Sequence, residues 1–208
     1  MFITFEGGEG SGKSTQSMLL YEALLRNGYN AILTREPGGT EESLKIRDLV
    51  LKGSIDKWSP VTESLLYLAD RAEHWNRIIK TELALGKIVI CDRFQDSTIV
   101  YQGYCKGVSI EFLQYIYSYI TGGIFPDITY LLTIDPETGL NRSLNRSGNN
   151  ETRFESMDIK FHKEVNENFL NLSKEHNKRF VVFEGNGDKQ IIHNMIYEHF
   201  SSFLLDIN

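Results

Sequence analysis

The stretch from Gly7 to Ser14, GGEGSGKS, constrains the fold of this chain more than any other feature. It fits the pattern G-x-x-x-x-G-K-[ST], with an apolar run at 2–5 before it and helical spacing after it, up to Asn27-Gly28. Strand, glycine loop and helix thus follow in the order that confirms the pattern. Glycines let backbone N–H groups face a phosphate, and the positive end of the helix adds to them. The sequence predicts a nucleoside triphosphate site, rather than a glycine turn with an exposed lysine.

The individual residues of this loop have distinct expected roles. Lys13 is expected to neutralise the outer phosphates, and Ser14 to ligate Mg²⁺. Glu9 is unexpected there, because a carboxylate repels phosphate. The predicted ATP-binding residues of the loop are Gly7, Gly8, Glu9, Gly10, Ser11, Gly12, Lys13, Ser14 and Thr15.

Length and composition restrict the remaining possibilities. A chain of 208 residues with 41% hydrophobic content can bury one substantial core, so we expect a single domain over 1–208. The formal net charge of −6 argues against binding to nucleic acid polymers. Cys91 and Cys105 form no CxxC pair, and no histidine has a cysteine partner at zinc spacing, which indicates reduced thiols and a cytoplasmic protein. No signal peptide or membrane-spanning run is evident, so we expect no membrane partner.

Apolar, strand-like runs alternate with helical patterns along the chain. This alternation predicts an α/β fold, with a five-stranded parallel sheet covered by helices on both faces, which is the three-layer fold of P-loop NTPases. The predicted strands are 2–6, 31–34, 87–92, 128–134 and 179–184, and the predicted helices are 13–27, 41–52, 60–84, 109–121, 136–145, 156–177 and 188–205.

The segment VICDRFQDS, 89–97, bears on the kind of phosphate chemistry. Asp92 ends a hydrophobic strand, where such enzymes support Mg²⁺ through a water. Arg93 follows at the carboxyl end of a parallel strand, where ligands bind, and its fork can grip a phosphoryl group in two places. An ordinary surface ion pair is the alternative for Arg93.

A further loop, TREPGGT at 34–40, completes a set of motifs. Pro37 keeps Glu36 extended, and Gly38-Gly39 allow a close backbone approach. Together FEGGEGSGKST, REPGGT, DRFQDSTIVYQG and a late polar loop with arginines resemble the thymidylate kinase family over nearly the whole chain, in its bacterial type. The resemblance implies that Arg93 clamps phosphates at the transfer site and that Glu9 lies near the acceptor monophosphate and its sugar. A solvent-exposed loop acid is the alternative for Glu9.

The resemblance also implies a site for the acceptor base on the helix at 60–84. Tyr67 and Arg71 are four residues apart and share a face, so a ring can stack on the base while a guanidinium bonds a carbonyl oxygen. The family usually has phenylalanine where this chain has Tyr67. Alternatively, Tyr67 packs in the core and Arg71 pairs with Asp70 or Glu73. The acceptor-binding residues implied by the resemblance are Glu9, Glu36, Pro37, Arg47, Tyr67, Arg71, Arg93, Thr98 and Gln102.

The late segment 140–156 fits the lid that closes over ATP in this family, with bounds near 142–155. The lid supplies Arg142, an expected ATP-binding residue, and Arg146, whose register is ambiguous in the Asn-rich stretch. Arg153 precedes the next helix and matches more firmly. The resemblance implies that the catalytic residues are Lys13, Arg93, Arg153 and Glu9. A free surface loop with solvated arginines is the alternative.

The expected reaction is in-line transfer of the γ-phosphoryl group of ATP to dTMP, with Mg²⁺. Another nucleoside monophosphate or deoxynucleoside kinase of the same fold is the first alternative, and a nucleotide-dependent switch protein is the second. The chain lacks the N-K-x-D segment of a GTPase switch. Dimers are common in the family, so a homodimer is expected, with 60–84 and 109–121 as candidate interface helices. Tyr115, Tyr117 and Tyr119 lie in the second of these helices, either exposed or in the core.

Overall fold

The computed structural model describes residues 1–145 and 153–206. Five strands form a parallel sheet with the order β2-β3-β1-β4-β5. Helices cover both faces of the sheet, so the predicted α/β fold class is confirmed. The strands are β1 Phe2–Glu6, β2 Ala31–Arg35, β3 Ile88–Asp92, β4 Ile128–Thr133 and β5 Phe180–Glu184.

The helices connect these strands. A π-helical turn, Trp75–Ile79, joins α3 to α4, and another, Ile99–Tyr104, continues α5. None of the helices in the described ranges is long and apolar enough to cross a membrane. The helices are α1 Lys13–Arg26, α2 Glu41–Leu51, α3 Pro60–His74, α4 Lys80–Ala84, α5 Gln95–Thr98, α6 Ile110–Thr121, α7 Pro136–Leu144, α8 Ile159–Glu175 and α9 Lys189–Asp206.

The core lies on both sides of the sheet. On one face Ile3 and Phe5 of β1 pack with Leu20 of α1 and Phe200 of α9. On the other, α3, α6 and α8 pack over the sheet and the turn that follows α5, with Phe169 of α8 fully buried. The central strands β1 and β4 are therefore buried at nearly every position, as expected for a parallel sheet covered by helices on both faces.

A helix over 95–104 is absent from the sequence-based prediction. Ile99 and Val100 are β-branched and favour strands, so local propensity does not indicate a helix there. The fold supplies the missing stabilisation, because the buried carboxylate of Glu6 accepts hydrogen bonds from the backbone N–H of Phe94, at 2.7 Å, and of Ser97, at 3.3 Å. Glu6 thus satisfies donors at the start of this helix from a neighbouring strand.

The carboxyl edge of the sheet brings three sequence motifs together. The backbone N–H of Arg93 donates to the carbonyl of Phe5, and that of Glu36 donates to the carbonyl of Asp92. The loops that follow β1, β2 and β3 therefore meet at one edge, as expected for a ligand site in an open parallel sheet.

Candidate active site

The loop between β1 and α1 is held by close backbone contacts with two other glycines. A Cβ at Gly10 would lie 1.9 Å from the carbonyl oxygen of Gly139 on α7, and a Cβ at Gly139 would lie 2.4 Å from that of Glu9. A Cβ at Gly185, after β5, would lie 2.4 Å from the carbonyl oxygen of Ser11. Side chains at these sites would displace the loop, so its shape depends on glycines far along the chain.

Lys13, the first residue of α1, lies folded over this loop. Its ammonium donates hydrogen bonds to the carbonyl of Gly8 at 2.6 Å and to the hydroxyl of Ser11 at 3.3 Å. Burial, reinforced by the positive charge of Arg93, lowers the pKa of Lys13 to about 7. A phosphate bound in the loop would provide a counter-charge for the buried Lys13 ammonium and so raise its pKa.

Ser14 and Asp92 form a pair that fits a hydrated Mg²⁺ ion. The hydroxyl of Ser14 donates a hydrogen bond to Oδ2 of Asp92. The other carboxylate oxygen, Oδ1, is buried and has no hydrogen-bond partner among the described residues. Hydroxyl and carboxylate oxygens are ligands that Mg²⁺ prefers, directly or through water. Thr15, next along α1, is exposed.

Arg93 lies between the loop and a neighbouring cavity. Its backbone has a φ of 68°, which is uncommon for a residue with a side chain. Its guanidinium donates to the carbonyl of Gly7 at 3.0 Å, to the hydroxyl of Ser97 at 3.1 Å and to Glu9 at 3.2 Å. Burial disfavours the charged form, but Tyr101 and Glu9 outweigh it, so the pKa of Arg93 lies above its usual value. The alternative of a surface ion pair for Arg93 is wrong, because the pair is largely buried.

Glu9 is held on three sides. Besides Arg93, the hydroxyl of Tyr101 donates to it, and Nδ1 of His162 lies 3.4 Å from its Oε2. Burial alone would raise the pKa of Glu9, but the hydrogen bond from His162 and the charges of Arg93 and Lys13 lower it to about 2. The alternative of a solvent-exposed acid is wrong, since only 10% of the side chain is accessible.

A cavity of about 250 Å³ opens beside the loop. It is lined by side chains from the segments after β1, β2 and β3, and from α3, so it joins the motifs that the sequence singled out. Predicted acceptor-site residues make up much of its wall: Glu9, Glu36, Pro37, Arg47, Tyr67, Arg71, Arg93, Thr98 and Gln102.

Arg71 is fixed at the base of this cavity by a buried network. Its Nε and Nη2 both lie 2.8 Å from Oε2 of Glu36, and its Nη1 donates to Gln95 at 2.7 Å. The ring of His74 holds the other oxygen of Glu36 at 3.0 Å. Arg71 therefore pairs with Glu36 and not with Asp70 or Glu73. Because Glu36 is itself held by His74, it fixes the orientation of the Arg71 guanidinium.

The remaining acceptor-site candidates differ in how tightly they are held. Nε2 of Gln102 donates to Oε1 of Glu63 at 2.9 Å, and Thr98 is buried one helical turn earlier. Arg47 donates to the carbonyl of Pro37 at 2.7 Å. Tyr67 is half-buried in the cavity wall, and burial raises the pKa of its hydroxyl above the usual value.

The lid arginines lie apart from one another. Arg142, near the end of α7, donates to the carbonyl of Gly185 at 2.9 Å, beside the phosphate loop. Arg153 is buried and pairs with Glu63, and it donates to the carbonyls of Val50, Ser54 and Ile55. The structure does not bring Arg153 together with Lys13. Arg146 lies outside the described residues.

Several residues of the site escaped sequence reasoning. Tyr101 lies within the DRFQDSTIVYQG motif, but the β-branched residues before it do not indicate a helix, so no local pattern places its hydroxyl beside Glu9. His162 carries no sequence signal, because its contact with Glu9 joins α8 to the phosphate loop. Glu63 is a charged residue in an apolar helix pattern, and only its buried partners show what it does.

Comparisons with known proteins agree on one family. The family model described as thymidylate kinase matches residues 5–196. A thymidylate kinase of Ruegeria pomeroyi is 45% identical over 188 residues, 90% of this chain and 88% of the relative. One from Synechococcus sp. is 46% identical over 187 residues, with 90% and 88% coverage. The solved thymidylate kinase from Ehrlichia chaffeensis has a TM-score of 0.80 at 34% identity, covering 96% of this chain and 98% of that one.

Proposed function

Because the chain belongs to the thymidylate kinase family, we propose that it transfers the γ-phosphoryl group of ATP to the 5′-phosphate of dTMP, giving dTDP and ADP. The observation that carries this proposal is the position of Arg93, which contacts Gly7 of the phosphate loop and Glu9 at the neighbouring cavity. One guanidinium there can reach both the transferred group and the acceptor phosphate.

ATP is assigned to the phosphate loop, with its β- and γ-phosphates against the backbone from Gly7 to Ser14. Lys13 neutralises the outer phosphates, and the N-terminus of α1 adds its positive end. Arg142, held by Gly185 beside the loop, is assigned to the nucleoside end of ATP. Ser14 would hold Mg²⁺, with Asp92 supporting it through a water, and the bound ion would offset charge on the phosphates.

The dTMP base is assigned to the deep end of the cavity and its phosphate to the mouth near Arg93. Arg71 can donate to a base carbonyl, and Tyr67 can stack on the base. Thr98 and Gln102 face the pyrimidine edge. Arg47 lies at the same cavity and is assigned to the acceptor phosphate, while Glu9 is assigned to the sugar.

Catalysis in this arrangement is positioning and charge neutralisation. A phosphate oxygen of the acceptor is already largely ionised near neutral pH, so no covalent enzyme intermediate is needed. Lys13 and Arg93 offset the charge of two anions that must approach each other in line. Closure of the lid, 142–155, adds the positive charge of its arginines at the transfer site. It also excludes water, which would compete with dTMP as the phosphoryl acceptor.

An acceptor panel tests this function. We expect ATP turnover by the purified protein to depend on added dTMP, with dTDP and ADP as products, and Lys13→Ala to lose most of it while keeping the native circular dichroism spectrum. Faster turnover with dCMP or dGMP would instead assign the chain to the first alternative, another nucleoside monophosphate kinase. ATP hydrolysis indifferent to every monophosphate would indicate a switch protein.

We also propose a cytoplasmic homodimer. Tyr115 and Tyr119 on α6 are 70% and 84% exposed, and Val61 and Leu65 on α3 are also exposed, whereas Tyr117 is in the core. An apolar surface on adjoining helices supports an interface there. Sedimentation of the purified protein tests this, with Tyr119→Glu as the variant expected to dissociate the dimer. A wild-type monomer at working concentration contradicts the dimer.

A further inference from the structure

Glu63 lies on α3 beneath the cavity wall, and its side chain is almost fully buried. Its Oε1 accepts hydrogen bonds from Nε2 of Gln102 at 2.9 Å and from the ammonium of Lys106 at 2.6 Å. Its Oε2 pairs with the guanidinium of Arg153. Two cations and one amide therefore converge on a single buried carboxylate.

This contact determines which end of the Gln102 amide faces the cavity. An ionised carboxylate only accepts hydrogen bonds, so it binds the NH₂ end of the amide and turns the carbonyl oxygen away. Gln102 lines the cavity, and none of the described residues donates a hydrogen bond to its Oε1. The cavity thus presents an acceptor at this position.

We propose that Glu63 is a positioning residue for base selection, which holds the carbonyl oxygen of Gln102 toward the N3 position of the acceptor base. Thymine carries an N–H at N3, which donates to that oxygen, whereas N3 of cytosine is itself an acceptor. The proposal rests on the proposed function and on the placement of the base in this cavity. A buried acceptor facing another acceptor is unfavourable, so this arrangement excludes cytosine.

The neighbours of Glu63 keep its carboxylate in place. Arg153 also donates to the carbonyls of Ser54 and Ile55, so its guanidinium has little freedom to move. Lys106 approaches from the other side, after the helical turn that carries Gln102. Removing one partner of such a buried ionic group is costly, and the geometry is therefore fixed before the base arrives.

The test compares kcat/KM for dTMP and dCMP. In Glu63→Gln the new amide both donates and accepts, so the Gln102 amide can turn its NH₂ toward the base. We expect the dTMP-to-dCMP preference to fall by about tenfold or more, with the KM for ATP unchanged. Glu73→Gln is the matched control, because it makes the same change on the same helix at a partly exposed pair with Arg77. Its preference should equal that of wild type.

A double-variant cycle separates positioning from mere structural support. Gln102→Ala should lower the preference by itself, and adding Glu63→Gln to it should change the preference no further. If kcat/KM falls equally for dTMP and dCMP in Glu63→Gln, the proposal is overturned. An unchanged dTMP-to-dCMP ratio in Gln102→Ala also overturns it, and this second measurement remains available if Glu63→Gln does not fold. Wild-type protein that does not phosphorylate dTMP would overturn the proposed function and this inference with it, whereas wild-type activity with an unchanged ratio in Glu63→Gln overturns this inference alone.

Discussion

The hydroxyl of Tyr101 lies 2.7 Å from one carboxylate oxygen of Glu9 and 2.9 Å from the other. The guanidinium of Arg93 stands 5.3 Å from the centre of the Tyr101 ring and also contacts Glu9. Tyr101 and Arg93 thus hold the Glu9 carboxylate, which belongs to the phosphate loop, in the wall of the neighbouring cavity.

Tyr101→Phe removes this hydroxyl and leaves the ring. A hydrogen bond to a charged group contributes about 1.5–3 kcal/mol, so we expect kcat/KM for dTMP to fall by roughly tenfold or more while the KM for ATP changes little. Steady-state kinetics with each substrate varied measures this. Tyr29→Phe makes the same change at an exposed position with no proposed role and should behave as wild type. A selective rise in the KM for ATP would contradict the assignment of Glu9.

We expect Lys13 to become protonated when MgATP binds. Burial, with the nearby charge of Arg93, lowers the pKa of Lys13 to about 7 in the free protein, and bound phosphate raises it. Titration calorimetry in buffers of different ionisation enthalpy should detect uptake approaching one proton at about pH 8 and much less at about pH 6. Lys45→Met, at an exposed lysine, should retain the effect. Equal uptake at both pH values would contradict it.

Glu6 makes stability depend on pH. Burial and the neighbouring charge of Asp96 raise the pKa of Glu6 from 4.5 to about 7, against the opposing effect of Arg93. The folded state then binds more protons than the unfolded state in that window, so stability contributed by Glu6 is present below about pH 4.5 and is lost as the pH rises through 7. We expect a loss of at most about 3 kcal/mol.

Urea denaturation of wild type and Glu6→Gln across this window isolates the effect. Other shifted groups, such as Asp70, whose pKa burial also raises to about 7, contribute to both proteins and cancel in the difference. The difference in unfolding free energy between the two proteins should change steadily with pH. A constant difference would show that Glu6 titrates alike in the folded and unfolded states.

Arg153→Ala should destabilise the protein strongly. It leaves Oε2 of the buried Glu63 carboxylate without its ion-pair partner and removes a donor from the backbone carbonyls of Val50, Ser54 and Ile55, which costs about 3–5 kcal/mol. Thermal unfolding measures this, with Arg142→Ala, near the surface, as the comparison. The family resemblance further predicts a lower kcat with little change in dTMP binding, which kinetics below the unfolding temperature can check. An unchanged melting temperature would contradict the structural role.

Arg71→Ala should weaken recognition of the acceptor base. We expect kcat/KM for dTMP to fall by roughly one hundredfold and the gap to dUMP, dCMP and dGMP to narrow, because a buried donor to the base is lost. ATP binding should change little. Arg77→Ala is the control, because Arg77 is an exposed arginine on the turn after α3 and pairs with Glu73. If the acceptor ranking and the dTMP rate stay unchanged, the base does not lie against Arg71.

The local sequence was sufficient for the fold class and for the phosphate loop. The G-x-x-x-x-G-K-[ST] pattern between a strand and a helix uses residues that are adjacent in the chain, and continuous apolar runs indicate strands buried on both faces. These features depend on backbone conformation and hydrophobic periodicity, which neighbouring residues largely determine. The five strands accordingly lie where those runs predict them.

Only the tertiary structure decided which charged side chains pair with one another. Arg71 has acidic neighbours in sequence, yet it pairs with Glu36, which is brought to it from the loop after β2. Glu9 lies against Tyr101 and His162, and Arg153 lies against Glu63, all across long separations in the chain. A buried charged group is stable only when it is paired, and its partner comes from whichever element packs against it. Spacing along the sequence therefore does not predict that partner.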